Sequence, residues 1–155
     1  MISLFRIDCR LIHYQTAQLW PKKLNINMIL VAADDVLQDK TRMGMFKVMV
    51  PKAMKLMIGT VQEAIDFLNS SEADNYKIEL IVGRSEDALA ITQQVPAAKK
   101  VQAAIIQQPD GKNMTSFLKV NAADKDNFKA MLDAQVTVEY CVMPTEKPVS
   151  VARFL

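Results

Sequence analysis

Arg6-Ile7-Asp8-Cys9-Arg10-Leu11-Ile12-His13-Tyr14-Gln15 is the stretch on which the reading of this chain turns. It carries the only histidine of the 155 residues. It also stands where one hydrophobic period gives way to another. Met1 to Ile7 is an apolar run of strand length, whereas Leu11, Ala17, Leu19 and Trp20 suit one side of a helix, so His13 is expected near a strand-to-helix turn. In α/β proteins that is where ligands bind. A helix start offers unpaired N–H groups and the positive end of the dipole, which stabilise a phosphate without a special side chain. Arg6 and Arg10 lie close by in sequence and can add charge-assisted, bidentate contacts. Neutral imidazole, with an unperturbed pKa of about 6.5, is a competent nucleophile. The combination suits a phosphohistidine.

Working outward, strand-like and helix-like patterns alternate. Asn27 to Ala33 is a β-rich run ending at Asp34-Asp35, either of which can cap a helix that carries Val36, Leu37, Met43 and Phe46 inward and stops before Pro51. Gly44 weakens the middle of that helix, and Pro21 predicts a break or kink near Trp20. Ala53 to Ile58 is a third strand. Thr60-Val61-Gln62-Glu63 then has capping-box spacing, and Val61, Ala64, Ile65 and Leu68 form the best helical stripe in the chain. Tyr76 to Val82 is a fourth strand, with a cap at Ser85 and a helix through Ala88, Ile91, Thr92 and Val95. Val101 to Ile106 is a fifth strand and Ser116 to Asn121 a short one. Asp124 opens a helix, and Val136 to Val142 is a last strand. Pro144 to Leu155 carries no readable pattern. The alternation implies a single doubly wound α/β domain over residues 1–155, with a mostly parallel sheet and helices on both faces.

Composition narrows the function. Half of the residues are hydrophobic, enough for one substantial core at this length. Net charge is +2 with the two signs intermingled, so nothing calls for a nucleic-acid partner. No apolar run nears the ~20 residues of a membrane helix, and no signal-peptide pattern opens the chain; a cytoplasmic protein is expected. One histidine with Cys9 and Cys141 gives no metal-ligand spacing, and Asp34-Asp35 is explained by capping, so neither metal nor other cofactor is called for. The four glycines form no dinucleotide or P-loop spacing, which leaves a nucleotide binder the weakest reading.

At Arg6 to Thr16 the chain resembles the IIB components of the mannose, fructose and sorbose class of the bacterial sugar phosphotransferase system. Their signature is close to R-I-D-D-R-L-I-H-G-Q-V, and here it stands as R-I-D-C-R-L-I-H-Y-Q-T. The likeness runs on more weakly through Trp20, Val31 to Asp39, Arg42 and Pro51. It implies that His13 accepts a phosphoryl group from a phosphohistidine of a IIA protein and passes it to a sugar held by membrane IIC and IID partners. Transfer between imidazoles needs in-line approach and charge stabilisation, which arginine and helix-start amides provide without a metal. Homo-oligomer formation and the identity of the sugar are left open.

Around His13 each residue keeps two readings. Asp8 either orients the imidazole and an arginine or closes an Asx-type turn. Gln15 either binds phosphate or is exposed helix surface. Arg10 is the better phosphate partner, since the strand position of Arg6 aims it away from the site or leaves it simply solvated. Cys9 stands for the family's second aspartate, Tyr14 for its glycine, and Ile106 to Gly111 lacks its glycine pair. These departures motivate a second class of function, a binding or regulatory module that kept the fold and lost efficient transfer.

Overall fold

The apolar runs become the middle of a parallel sheet, because each must bury both of its faces. A computed structural model describes residues 1–155. Five parallel strands, β1 (Ile2–Asp8), β2 (Met28–Ala32), β3 (Lys55–Gly59), β4 (Ile78–Val82) and β5 (Lys100–Gln107), lie in the order β3-β2-β4-β1-β5. Both β2 and β4 are buried at every residue. That pattern fits strands covered on both sides. Beyond the carboxyl end of β5, β6 (Lys112–Asn113) pairs antiparallel with β7 (Leu118–Val120), which runs parallel to β5. β8 (Thr137–Tyr140) runs parallel along the amino half of β5 and is itself covered by β9 (Val149–Ser150).

Helices cover both faces. One face packs Phe5, Ile7, Leu30, Leu80 and Val82 against Ala64 and Ile65 of α3 (Val61–Leu68), Ala88 and Ile91 of α4 (Ser85–Gln94), and Phe128 and Met131 of α5 (Ala122–Asp133). The opposite face packs Ile29, Val31 and Ile81 against Leu11, Ile12, Ala17 and Phe46. Phe46 belongs to α2 (Lys40–Met49). This is the doubly wound architecture expected from the alternation.

Local chemistry differs from expectation at several helix starts. Asp39, not Asp34 or Asp35, caps α2 by accepting from the Arg42 amide, and Asp34 Oδ1 instead accepts from the Val61 amide, tying two loops together. Ser85 is the first residue of α4 rather than its cap, and its hydroxyl donates to Asp124 Oδ1 at 2.6 Å. Asn121 caps α5 and Asp124 closes a capping box there, while the box at Thr60 and Glu63 forms as its spacing predicts. The Pro21 irregularity takes the form of a π-helical turn, Gln15–Leu19, that feeds the short helix α1 (Trp20–Leu24) with Pro21 in its first turn. There the missing N–H costs little. The tail is ordered by β9, a final 3₁₀ turn at Val151–Phe154, and Glu146, which accepts from the amides of Val142 and Met143.

Candidate active site

Alternation along β1 sends Arg6 and Asp8 to one face and Phe5 and Ile7 to the other. Two charged side chains therefore enter a layer that is otherwise apolar. Arg6 is fully enclosed, and a buried guanidinium is tolerable only when its charge and donors are matched. All five of its N–H groups are used. Nε and one Nη2 proton donate to Asp8 Oδ2 at 3.0 and 2.9 Å, the other Nη2 proton to Gln15 Oε1 at 3.0 Å, and Nη1 to Gln102 Oε1 at 2.7 Å and the Val142 carbonyl at 2.9 Å. Trp20 stands beside the guanidinium, 6.0 Å from its carbon, and donates Nε1–H to the same Val142 carbonyl. Arg6 is thus a structural cation inside the protein and keeps no donor for a ligand.

Asp8 makes both of its expected contacts at once, one on each oxygen. Oδ1 accepts from the Arg10 amide at 3.0 Å, closing the Asx-type turn, and Oδ2 lies 2.8 Å from His13 Nε2. Burial works to raise its pKa. The bonds from His13 and the Arg10 amide and the charge of Arg6 outweigh it, so the carboxyl is held below its usual range and stays anionic. An anionic Asp8 can only accept, which assigns the ring proton to Nε2. Nδ1 is then the lone-pair nitrogen. It bonds to no protein group, and because the only enclosed unpaired polar atoms are elsewhere, it opens to solvent.

The turn that delivers His13 is rigid. The Leu11 amide donates to the Asp8 carbonyl at 2.9 Å, and Leu11 takes a left-handed φ of 57°. For a leucine that conformation costs about 1–2 kcal/mol. Burial of Leu11 and Ile12 between Val31, Val36 and Phe46 offsets it. Thr16 completes the lock: its hydroxyl accepts from the His13 amide at 3.0 Å and donates to the Leu11 carbonyl at 2.8 Å. His13 consequently lies past the end of β1 and ahead of the π-helical turn, as expected, with its ring largely enclosed.

The remaining residues of the motif divide. Arg10 and Tyr14 are exposed, and the Arg10 guanidinium makes no bond within the protein. Gln15 is half-buried rather than exposed; its Oε1 accepts from Arg6 and its Nε2 donates to no protein group. Arg42, on α2, reaches the Cys9 carbonyl at 3.1 Å, and with Cys9, Leu11 and Arg84 it borders a hollow of about 150 Å³ beside the turn. Burial, followed by the Asp8 charge, raises the Cys9 thiol above its ordinary pKa, the opposite of an activated thiolate. Gln102 and Val142 are parts of the site that the sequence reading does not reveal, and they lie 96 and 136 residues from Arg6. Glu79 on β4 is also missed. It is fully enclosed on the Arg6 side of the sheet with neither carboxylate oxygen bonded, and burial drives its pKa well up, with Arg6 opposing and Asp8 reinforcing the shift.

Residues 2–155 match a family model described as PTS system sorbose subfamily IIB component. A Streptococcus pyogenes protein described as a probable phosphotransferase enzyme IIB component is 35% identical over 138 residues, which span 89% of this chain and 85% of that one. An N-acetylgalactosamine-specific phosphotransferase enzyme IIB component of Escherichia coli is 27% identical over 99% of this chain and 98% of its own. The crystal structure of the IIBSor domain of the sorbose permease from Klebsiella pneumoniae superimposes with a TM-score of 0.93 at 22% identity, covering 99% of this chain and 95% of the other, a likeness of fold. With the family model spanning all but the first residue, the chain belongs to the sorbose subfamily of phosphotransferase-system IIB components.

Proposed function

We propose that this protein is a cytoplasmic phosphocarrier of a sugar phosphotransferase system: His13 Nδ1 accepts a phosphoryl group from the phosphohistidine of a IIA protein and passes it to a sugar during uptake, together with membrane IIC and IID components. The observation that carries the reading is the pairing of His13 Nε2 with Asp8 at 2.8 Å while Nδ1 remains open. In the accepting step the Nδ1 lone pair attacks phosphorus as the donor's P–N bond breaks, and the electron pair of that bond stays on the donor ring. His13 becomes a phosphoimidazolium that keeps its Nε2 proton. Asp8 stabilises the positive charge that develops on the ring, and Arg6 holds Asp8 in place. Arg10, unpaired and exposed next to the turn, is the cation assigned to the phosphoryl oxygens, and Arg42 stands beside the same turn. In the passing step a sugar hydroxyl oxygen attacks phosphorus as the Nδ1–P bond breaks, the electron pair of that bond returns to Nδ1, and the hydroxyl proton is released to solvent. No helix is long and apolar enough to cross a membrane, which fits a chain working beside membrane partners rather than within the bilayer.

The test is incubation of wild type and His13→Ala with the general phosphotransfer proteins and a competent IIA, followed by intact-mass measurement and phosphorus NMR. The expected result is one phosphoryl group on wild type, as a phosphoramidate at Nδ1, and none on His13→Ala. Label retained by the alanine variant would remove His13 from the reaction.

A further inference from the structure

A second cavity lies at the other end of the sheet, under α1 and against the amino halves of β1 and β5. It encloses about 320 Å³. That is the lower end of small-ligand sites, about 300–1,000 Å³. Leu4, Trp20 and Leu24 give it apolar walls, and Gln102 lines it as well. The Gln102 amide has only one possible orientation. Arginine has donors alone, so the oxygen 2.7 Å from Arg6 Nη1 must be Oε1, and Nε2 is the outward end. Gln102 is 7% exposed, its Nε2 has no protein acceptor, and it is not among the enclosed unpaired atoms. The amide is therefore a nearly buried donor that opens into the cavity. At the rim Lys100 is neutralised by Glu139 at 2.9 Å, whereas Lys99 has no ion-pair or hydrogen-bond partner, so the rim carries one uncompensated positive charge.

We propose that this cavity binds a small carboxylate with a compact apolar or aromatic body, the body against Leu4, Trp20 and Leu24 and the carboxylate accepting from Gln102 Nε2 and Lys99. A neutral ligand would satisfy the walls and leave the lysine unmatched. A cationic one would meet repulsion from Lys99. The site is distinct from the His13 turn, since Leu4 and Asp8 are four residues apart on one strand, about 13 Å. It is nevertheless joined to it, because Gln102 holds Arg6 and the Val142 carbonyl is shared by Arg6 and Trp20. Occupancy therefore reaches the guanidinium that fixes Asp8. The consequence for His13 rests on the function proposed above, while binding itself does not.

The experiment is a titration of the ¹⁵N-labelled, unphosphorylated protein with 3-phenylpropanoate, read by NMR at the Gln102 side-chain amide, the Arg6 Nε–H and the Trp20 indole N–H, which is a single resonance because the chain has one tryptophan. Saturable shifts of all three are expected at millimolar ligand, with 3-phenylpropan-1-ol and the Lys99→Ala protein each binding about tenfold more weakly, the effect of ~1.4 kcal/mol. Leu24→Trp, which fills the cavity from the exposed end of α1, should abolish the shifts. The proposal is overturned by no saturable shift at about 10 mM, equal binding of the alcohol, or shifts that survive Leu24→Trp. A neutral result in the phosphotransfer assay would bear on the function of His13 and leave these three readings unaffected.

Discussion

His13 Nε2 and Asp8 Oδ2 are 2.8 Å apart, and the same Oδ2 receives two N–H groups from the enclosed Arg6. One oxygen atom thus couples the orientation of the imidazole to a cation that never meets solvent. Asp8→Asn should lower the rate of phosphoryl acceptance by at least about 100-fold, because an amide no longer dictates which ring nitrogen carries the proton. It should also cost about 3–5 kcal/mol of stability, since Arg6 loses its counter-charge. Transfer rates normalised to folded protein, with a chemical denaturation curve beside them, separate the two effects; an unchanged rate would detach Asp8 from the chemistry.

The low pKa of Asp8 has a stability consequence at acid pH. Its folded-state pKa lies below the ordinary 3.8, so its contribution is fully present above that value and is lost as pH falls toward the folded pKa. Glu79 acts in the opposite sense. Its folded pKa lies well above 4.5, so the native state is favoured below that value and loses stability as pH rises toward the folded pKa. The charged groups facing it are Arg6 and Asp8 on β1, while its direct strand neighbours are Leu4 and Ile29. Glu79→Met, of similar shape and without an unpaired carboxyl, should stabilise the domain by about 1–3 kcal/mol at pH 8 and by less near pH 4. Denaturation midpoints at the two pH values decide it, and an equal or negative change at pH 8 would show that Glu79 has a compensating partner.

Cys9 and Tyr14 are the departures closest to His13. Tyr14 is 66% exposed, so most of its surface is not packed against the protein, whereas Cys9 borders the hollow next to Arg42. Wild type should therefore be phosphorylated, and Cys9→Asp should speed the reaction about two- to tenfold by giving Arg10 and Arg42 a carboxylate to order them. Transfer only to the Cys9→Asp/Tyr14→Gly double variant would instead mark the natural protein as a binding or regulatory module.

The stripe on α3 is graded. Ile65 is enclosed, but Leu68, expected as part of the same packed face, is only half-buried. Ile65→Ala should cost about 2–5 kcal/mol and Leu68→Ala about 1 kcal/mol, measured as changes in unfolding free energy. Equal losses would mean that Leu68 is covered in solution.

Gly44 sits inside α2 with ordinary helical φ, and a methyl group added there meets nothing within 4 Å. Gly44→Ala should stabilise the protein by about 0.5–1 kcal/mol through the unfolded chain, with no change of contacts. A lower melting temperature would reveal a partner for that face of the helix.

The sequence by itself determined the layer pattern and the place of His13. Both are local properties: strands buried on two faces must be apolar runs, a covering helix must show a stripe of period 3.6, and the junction between the two periods falls at residues 8–14 whatever the chain does later. The capping box of Thr60 and Glu63 is legible for the same reason, whereas Asp34 and Ser85 were drawn away from capping their own helices by partners on α3 and α5. What only the tertiary structure decided is the division of labour around the histidine. The strand position of Arg6 already sets it apart from Arg10 in the motif, but its full enclosure depends on Gln102 and Val142 arriving from far along the chain to satisfy a buried guanidinium. Glu79 is the one charged residue inside the otherwise apolar strand β4. That it is enclosed and unpaired beside Arg6 and Asp8 depends on β4 pairing with β1, a non-local register that no local period encodes.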